Sequence, residues 1–158
     1  MNKSNFQRTA TWLAQCGKYP NVTDLSCQIG CHMEELLEFL RTVELHEGAP
    51  QAGDFNGVQE EFFDALATLE AIGNMLKKQH LRAGIPHGQR VAALDALCDS
   101  EVTGNGVAFM AGFLKDKADE AVLASNEAKL VDGKPVILPG GKIGKPEGWT
   151  PPQLEGFV

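Results

Sequence analysis

With 158 residues, 43% of them hydrophobic, the chain has enough apolar side chain to bury one core, and ordinary domain sizes favour one domain plus a tail. A formal net charge of −7, from 21 acidic against 14 basic residues, argues against a protein that mainly neutralises nucleic-acid phosphates or coats an anionic membrane. Met1 to Gln7 lacks the basic start and apolar run of a secretory leader, and no later apolar stretch approaches bilayer length, so a cytoplasmic protein is expected.

Ser4 can cap a first helix, with Phe6, Thr9, Trp12, Leu13 and Cys16 on one face, which Gly17 and Pro20 end. Thr23 or Asp24 then caps a second helix to about Glu47. Its apolar stripe is Leu25, Ile29, Met33, Leu36, Leu37, Leu40 and Val43, weakened in the middle by Gly30. Gly48 to Gly53 reads as a loop, and Asp54 or Asn56 caps a third helix over about Val58 to His80, with Val58, Phe62, Leu66, Leu69, Ile72 and Leu76 facing the core.

Gly84 and Pro86 break the pattern before a fourth helix, from about Gln89 to Gly112, and a fifth runs from Lys115 to Leu130. Lys134 to Leu138 and Lys142 to Lys145, joined through Pro139-Gly140-Gly141, suggest a small hairpin ahead of a proline-rich tail, Pro146 to Val158. The expected fold is therefore all-α: a four- to five-helix bundle over residues 1–130, with a short C-terminal hairpin and extended tail over 131–158 that pack on the bundle or on a partner subunit.

Cys16, Cys27, Cys31 and Cys98 fall in helical segments, so reduced thiols are expected. Cys27 and Cys31 beside His32 invite a zinc reading, but four-residue spacing with no second pair nearby favours small buried hydrophobes. Gly140-Gly141-Lys142-Ile143-Gly144-Lys145-Pro146 is one residue short of a phosphate-binding loop and has proline where Ser or Thr should hold Mg2+. Gly104-Asn105-Gly106 has no preceding strand and gives no dinucleotide-binding signal.

The chemistry lies in the carboxylates. In Glu34-Glu35-Leu36-Leu37-Glu38, spacings of three and four put at least two acids on one side of the second helix, close to its apolar stripe. Alone, such a run reads as a solvated helix face. Asp95 and Asp99, four apart in Leu94-Asp95-Ala96-Leu97-Cys98-Asp99, are harder to read that way, because aspartate is a poor helix former among what look like core residues. Hard oxygen ligands on facing helices suit Mg2+ or Mn2+, and such cations would let an acidic protein bind a polyphosphate.

These residues resemble the MazG-like all-alpha nucleotide pyrophosphohydrolase superfamily, which includes phosphoribosyl-ATP pyrophosphohydrolases and dimeric dUTPases and carries EExxE followed by ExxD. Glu34-Glu35-Leu36-Leu37-Glu38 matches the first element. The likeness is strongest to phage-type and bacterial members with an Asp-Ala-Leu-Cys-Asp helix and a downstream stretch, here Ser125-Asn126-Glu127-Ala128-Lys129-Leu130-Val131-Asp132-Gly133-Lys134-Pro135. The resemblance implies hydrolysis of a nucleoside triphosphate to the monophosphate and pyrophosphate. It implies Glu35 and Glu38 as metal ligands and Asn126 and Lys129 as contacts to phosphate or sugar, in a homodimer or homotetramer.

The chain departs from the pattern at Ala92, where an ExxD glutamate would precede Asp95. Glu61-Phe62-Phe63-Asp64 on the third helix is a literal ExxD and a competing second half of the cage. Asp95 and Asp99 are preferred because they lie in order with Asn126 and Lys129. On this reading Glu35, Glu38, Asp95 and Asp99 hold Mg2+, and Glu34 accepts the proton of the attacking water. A dUTPase-like, base-selective hydrolase and a non-catalytic helical interaction protein are the alternatives.

Overall fold

The computed structural model describes residues 3–46, 55–137 and 143–158. The fold is all-α, with five α-helices among these residues and one two-stranded antiparallel hairpin. None of the helices is long and apolar enough to cross a membrane. The chain divides into two compact units, one of residues 20–84 and the other built from both ends, 1–19 with 85–158.

The central unit is a helical hairpin of α2 (Val22–Arg41) and α3 (Phe55–Lys77). Its N-cap is Asn21, whose side chain accepts the Asp24 N–H at 2.9 Å, rather than Thr23 or Asp24. The helix also ends at Arg41, short of Glu47, because two β-branched residues, Thr42 and Val43, follow and the Thr42 hydroxyl turns back to the Phe39 carbonyl at 2.7 Å. Asp54 lies outside the described residues, and Asn56 falls inside α3 rather than capping it. At its far end α3 stops at Lys77, since Gln79 takes a left-handed backbone (φ 60°) and its side chain donates to the Leu76 and Thr23 carbonyls.

The two helices meet on a narrow seam. Leu37, Leu66 and Leu76 are buried there, and Gly30 is pressed so close to α3 that a Cβ would sit 2.6 Å from the Gly73 carbonyl oxygen. The sequence places Gly30 mid-helix as a weakness, and the packing shows what offsets it: only a bare backbone admits this approach. Much of the expected stripe does not reach the seam, for Leu36, Val43, Val58 and Leu69 are exposed, as two helices bury one ridge each and leave the flanks open.

Fully buried Ser26 fastens the open end of the hairpin. Its hydroxyl accepts the Ala83 N–H at 2.9 Å and shares its proton between the carbonyls of Val22 and Ala83. Ser26→Ala leaves both polar groups of Ala83 without their partner, a loss of about 1–3 kcal/mol. Urea unfolding of variant and wild type is expected to show a lower midpoint at unchanged slope.

In the other unit, α1 (Asn5–Gln15) starts at the expected cap: Ser4 Oγ accepts the Gln7 N–H at 3.2 Å and Gln7 Oε1 accepts the Ser4 N–H at 2.9 Å. A short 3-10 turn, His87–Gln89, leads into α4 (Arg90–Met110), and α5 (Lys115–Glu127) follows. Arg8 ties α1 to α5, donating through Nε and Nη2 to the two oxygens of Glu127 at 2.9 and 3.0 Å and through Nη1 to Glu120 at 2.8 Å.

The hydrogen bonds from Arg8 hold the Glu127 carboxyl below its ordinary value, against a smaller opposing effect of desolvation. A carboxylate with a depressed pKa contributes stability above its unfolded value, lost as the pH falls through the folded one. Melts of wild type and Glu127→Gln are therefore expected to differ above about pH 4.5 and to converge below it. Solvent screening at the half-exposed Glu127 keeps that difference small.

The hairpin forms earlier than the sequence suggests. Leu130–Val131 (β1) pairs with Lys134–Pro135 (β2) through Asp132-Gly133, both with positive φ, the Asp-Gly turn that fits a two-residue hairpin. Ile137 and Ile143 then bridge within the expected region, whose turn, 138–142, lies outside the described residues. From Pro146 the chain runs as an arm along α5. Trp149 Nε1 donates to the Ser125 carbonyl at 2.9 Å, and the arm ends where the Leu114 N–H meets the Phe157 carbonyl, also at 2.9 Å.

Candidate metal and nucleotide-binding residues

Glu34 and Glu38, one helical turn apart on α2, both border a groove of about 50 Å3 against α3. Lys77 closes on Glu34 Oε1 at 2.5 Å and Arg41 on Glu70 at 2.8 Å, and Gly30, Gly73 and Asn74 complete the walls. Three carboxylates thus share the groove with two cations. The close approach rests on Gly30, whose missing Cβ would otherwise hold the helices apart.

Glu35 is exposed on α2, as are Glu61 and Asp64 on α3. Asp95 and Asp99 lie on α4 in the unit made from the chain ends. Their surroundings differ from the apolar packing expected of them: Leu94 and Leu97 are 64% and 54% exposed, and both aspartates face solvent within the chain. The physical reason is visible in the sequence of α4. Val91, Val102, Phe109 and Met110 are exposed as well, so apolar residues surround the helix instead of lining one side.

Asn126 and Lys129 do meet. Lys129 Nζ donates to Asn126 Oδ1 at 2.8 Å, and its ammonium lies 6.0 Å from the Trp12 ring centre and 5.4 Å from that of Trp149. A second ammonium, Lys145, stands 4.5 Å from the Trp149 ring centre. Such contacts stabilise by roughly 0.5–1 kcal/mol each at exposed sites. Sequence reasoning puts Trp149 and the tail prolines over a neighbouring subunit or the base-binding pocket, but it does not single out Lys145, Lys77, Arg41 or Glu70. Lys77 and Glu70, seven apart, share one face of α3, a spacing that marks charge on a packed helix face.

Among the described residues no three His, Cys, Asp or Glu side chains form a ready metal shell. The donor chemistry on α2 still suits Mg2+, which needs one or two carboxylates and completes its shell with water and phosphate oxygens. Glu35 and Glu38, three apart on α2, carry carboxylates of this kind. Cys27 and Cys31 are hydrogen-bonded to each other. Burial, reinforced by Cys27, pushes the Cys31 thiol up to about 11, so it stays protonated at neutral pH.

No family model matches the chain, and neither does a curated protein or a solved structure.

Proposed function

We propose that the protein is a metal-dependent nucleoside triphosphate pyrophosphohydrolase, releasing a nucleoside monophosphate and pyrophosphate. The observation that supports this reading best is the groove in which Glu34 and Glu38 meet Lys77, Arg41 and Glu70, because it places the paired acids of the EExxE run beside cations and a close helix contact instead of on a purely solvated face. Glu35 and Glu38 are the proposed ligands of Mg2+ or Mn2+ on α2, and Asp95 and Asp99 those on α4. When bound, the cation supplies charge neutralisation at the phosphates and an activated water.

The chain's own residues have the remaining roles. Glu34 offers one oxygen to Lys77, and its other oxygen is the proposed acceptor of the water proton. Asn126 and Lys129, already joined, present an amide and an ammonium to phosphate or sugar. Incubation with each nucleoside triphosphate and Mg2+ or Mn2+ tests the reading. Pyrophosphate and monophosphate are expected, whereas orthophosphate with a diphosphate overturns the mechanism. The same panel of bases tests for dUTPase-like selectivity.

The exposed apolar surface of α4 favours a second reading, a helical interaction protein, and within the enzymatic reading it favours a homodimer or homotetramer that covers this helix. A melting midpoint unchanged by Mn2+ supports the interaction protein, since a ligand that binds the folded state alone raises its stability.

A further inference from the structure

We propose that the groove between α5 and the C-terminal arm is a second binding element for a nucleoside phosphate, in which Lys145 and Lys129 take the phosphate and the apolar walls take the base or sugar. The groove measures about 640 Å3, within the size range of small-molecule sites. Ala121 and Ala124 on α5, with Ala128 just past its end, line one side, and Pro151, Pro152 and Trp149 line the arm's side. Small residues on the helix keep the space open. Prolines fix the arm with little conformational freedom to lose.

The arm does not depend on Lys145 for its attachment. Trp149 Nε1 is bonded to Ser125, Ser125 Oγ donates to the Thr150 carbonyl, and Phe157 accepts from Leu114. Among the described residues no carboxylate pairs with Lys145, whose ammonium rests only on the indole face. A flexible lysine held by a ring quadrupole can turn to a phosphate without breaking an ion pair. Lys129, fixed by Asn126 and flanked by both tryptophans, places a second positive charge beside the same ring. Both ammonium groups lie against the ring of Trp149, which lines the groove, and they outnumber Glu147, the one carboxylate in that lining, so this end carries the charge complementary to an anionic ligand with an apolar body.

The inference rests on the pyrophosphohydrolase reading for the identity of the ligand. Trp12 and Trp149 are the two tryptophans of the chain, so Trp12→Phe leaves Trp149 as the sole indole reporter. Titration of that protein with an α,β-methylene nucleoside triphosphate is expected to change Trp149 emission saturably. Lys145→Met should raise the midpoint about tenfold or more and Lys145→Arg should restore it. If Trp12→Phe unfolds, the wild-type signal minus that of Trp149→Phe gives the same readout. No saturable change, or an unchanged midpoint in Lys145→Met, overturns the proposal. Pyrophosphate release measured in parallel separates the two claims. Hydrolysis with the same KM in wild type and Lys145→Met sinks the groove and leaves the enzyme reading intact, whereas nucleotide binding at Trp149 without hydrolysis does the reverse.

Discussion

Glu38→Gln is expected to lower pyrophosphate release by about a hundredfold or more while the far-ultraviolet circular dichroism keeps its helical form. Removing a group that merely orients a metal ligand costs 10–100-fold, so removing the ligand's charge sets that range as a floor. The substitution is nearly isosteric, and Glu38 borders the groove without belonging to the buried seam of Leu37, Leu66 and Leu76, so the hairpin has no packing reason to open. Steady-state kinetics across Mg2+ concentrations should show a loss that excess metal reverses only in part. The choice of second carboxylate pair is decided in the same assay. Asp99→Asn inactive with Asp64→Asn active assigns α4, and the opposite result assigns α3.

Gly30→Ala is expected to destabilise the protein, and Gly73→Ala is not, although the two glycines face each other. A Cβ on Gly30 would lie 2.6 Å from a backbone oxygen and 2.9 Å from Lys77 Cγ, so α3 itself has to move. A Cβ on Gly73 finds its nearest neighbour at an ordinary 3.4 Å. Overpacking of this kind costs about 1–3 kcal/mol, partly offset by the gain in helix propensity of about 1 kcal/mol. That propensity gain is the whole effect at Gly73, which makes a small rise in stability the expected result there. For a chain of this size each kcal/mol shifts the melting midpoint by about 2–4 °C. Melts of the two variants should therefore move in opposite directions, and a Gly30→Val melt should fall further still. Because Lys77 is displaced in Gly30→Ala, activity is expected to fall with stability.

The helices were legible because periodicity and caps are local. Ser4 with Gln7, Gly17, and the Gly84 to Pro86 break each announce themselves within a few residues. Asn21 was passed over for Thr23 and Asp24 since all three are good caps, and the geometry that decides among them is the turn before the helix. Asp132-Gly133 was missed as a hairpin turn because the flanking strands are only two residues long, too short for alternation to register.

The site was legible only in part. Glu34 and Glu38 could be placed on one face from their spacing, with Arg41 three residues on along the same helix, but Lys77 and Glu70 come to them from α3 across a helix contact that no local pattern encodes. What surrounds Asp95 and Asp99 is a matter of tertiary placement. On α4 apolar residues occur all round, so periodicity could not distinguish a core face from an exposed one.

The pairing of Arg8 with Glu127 joins residues 119 positions apart, whereas Ser26 meets Ala83 across 57 and the α2–α3 seam is more local still. On a ribosome adding about 5–20 residues per second, α1 emerges about 6–24 s before its partner helix exists. The central hairpin can close in that interval, since its loop is shorter and less costly to form. The chain is thus built to fold from its middle outward, with its first helix waiting, unpaired, for nearly the last one to arrive.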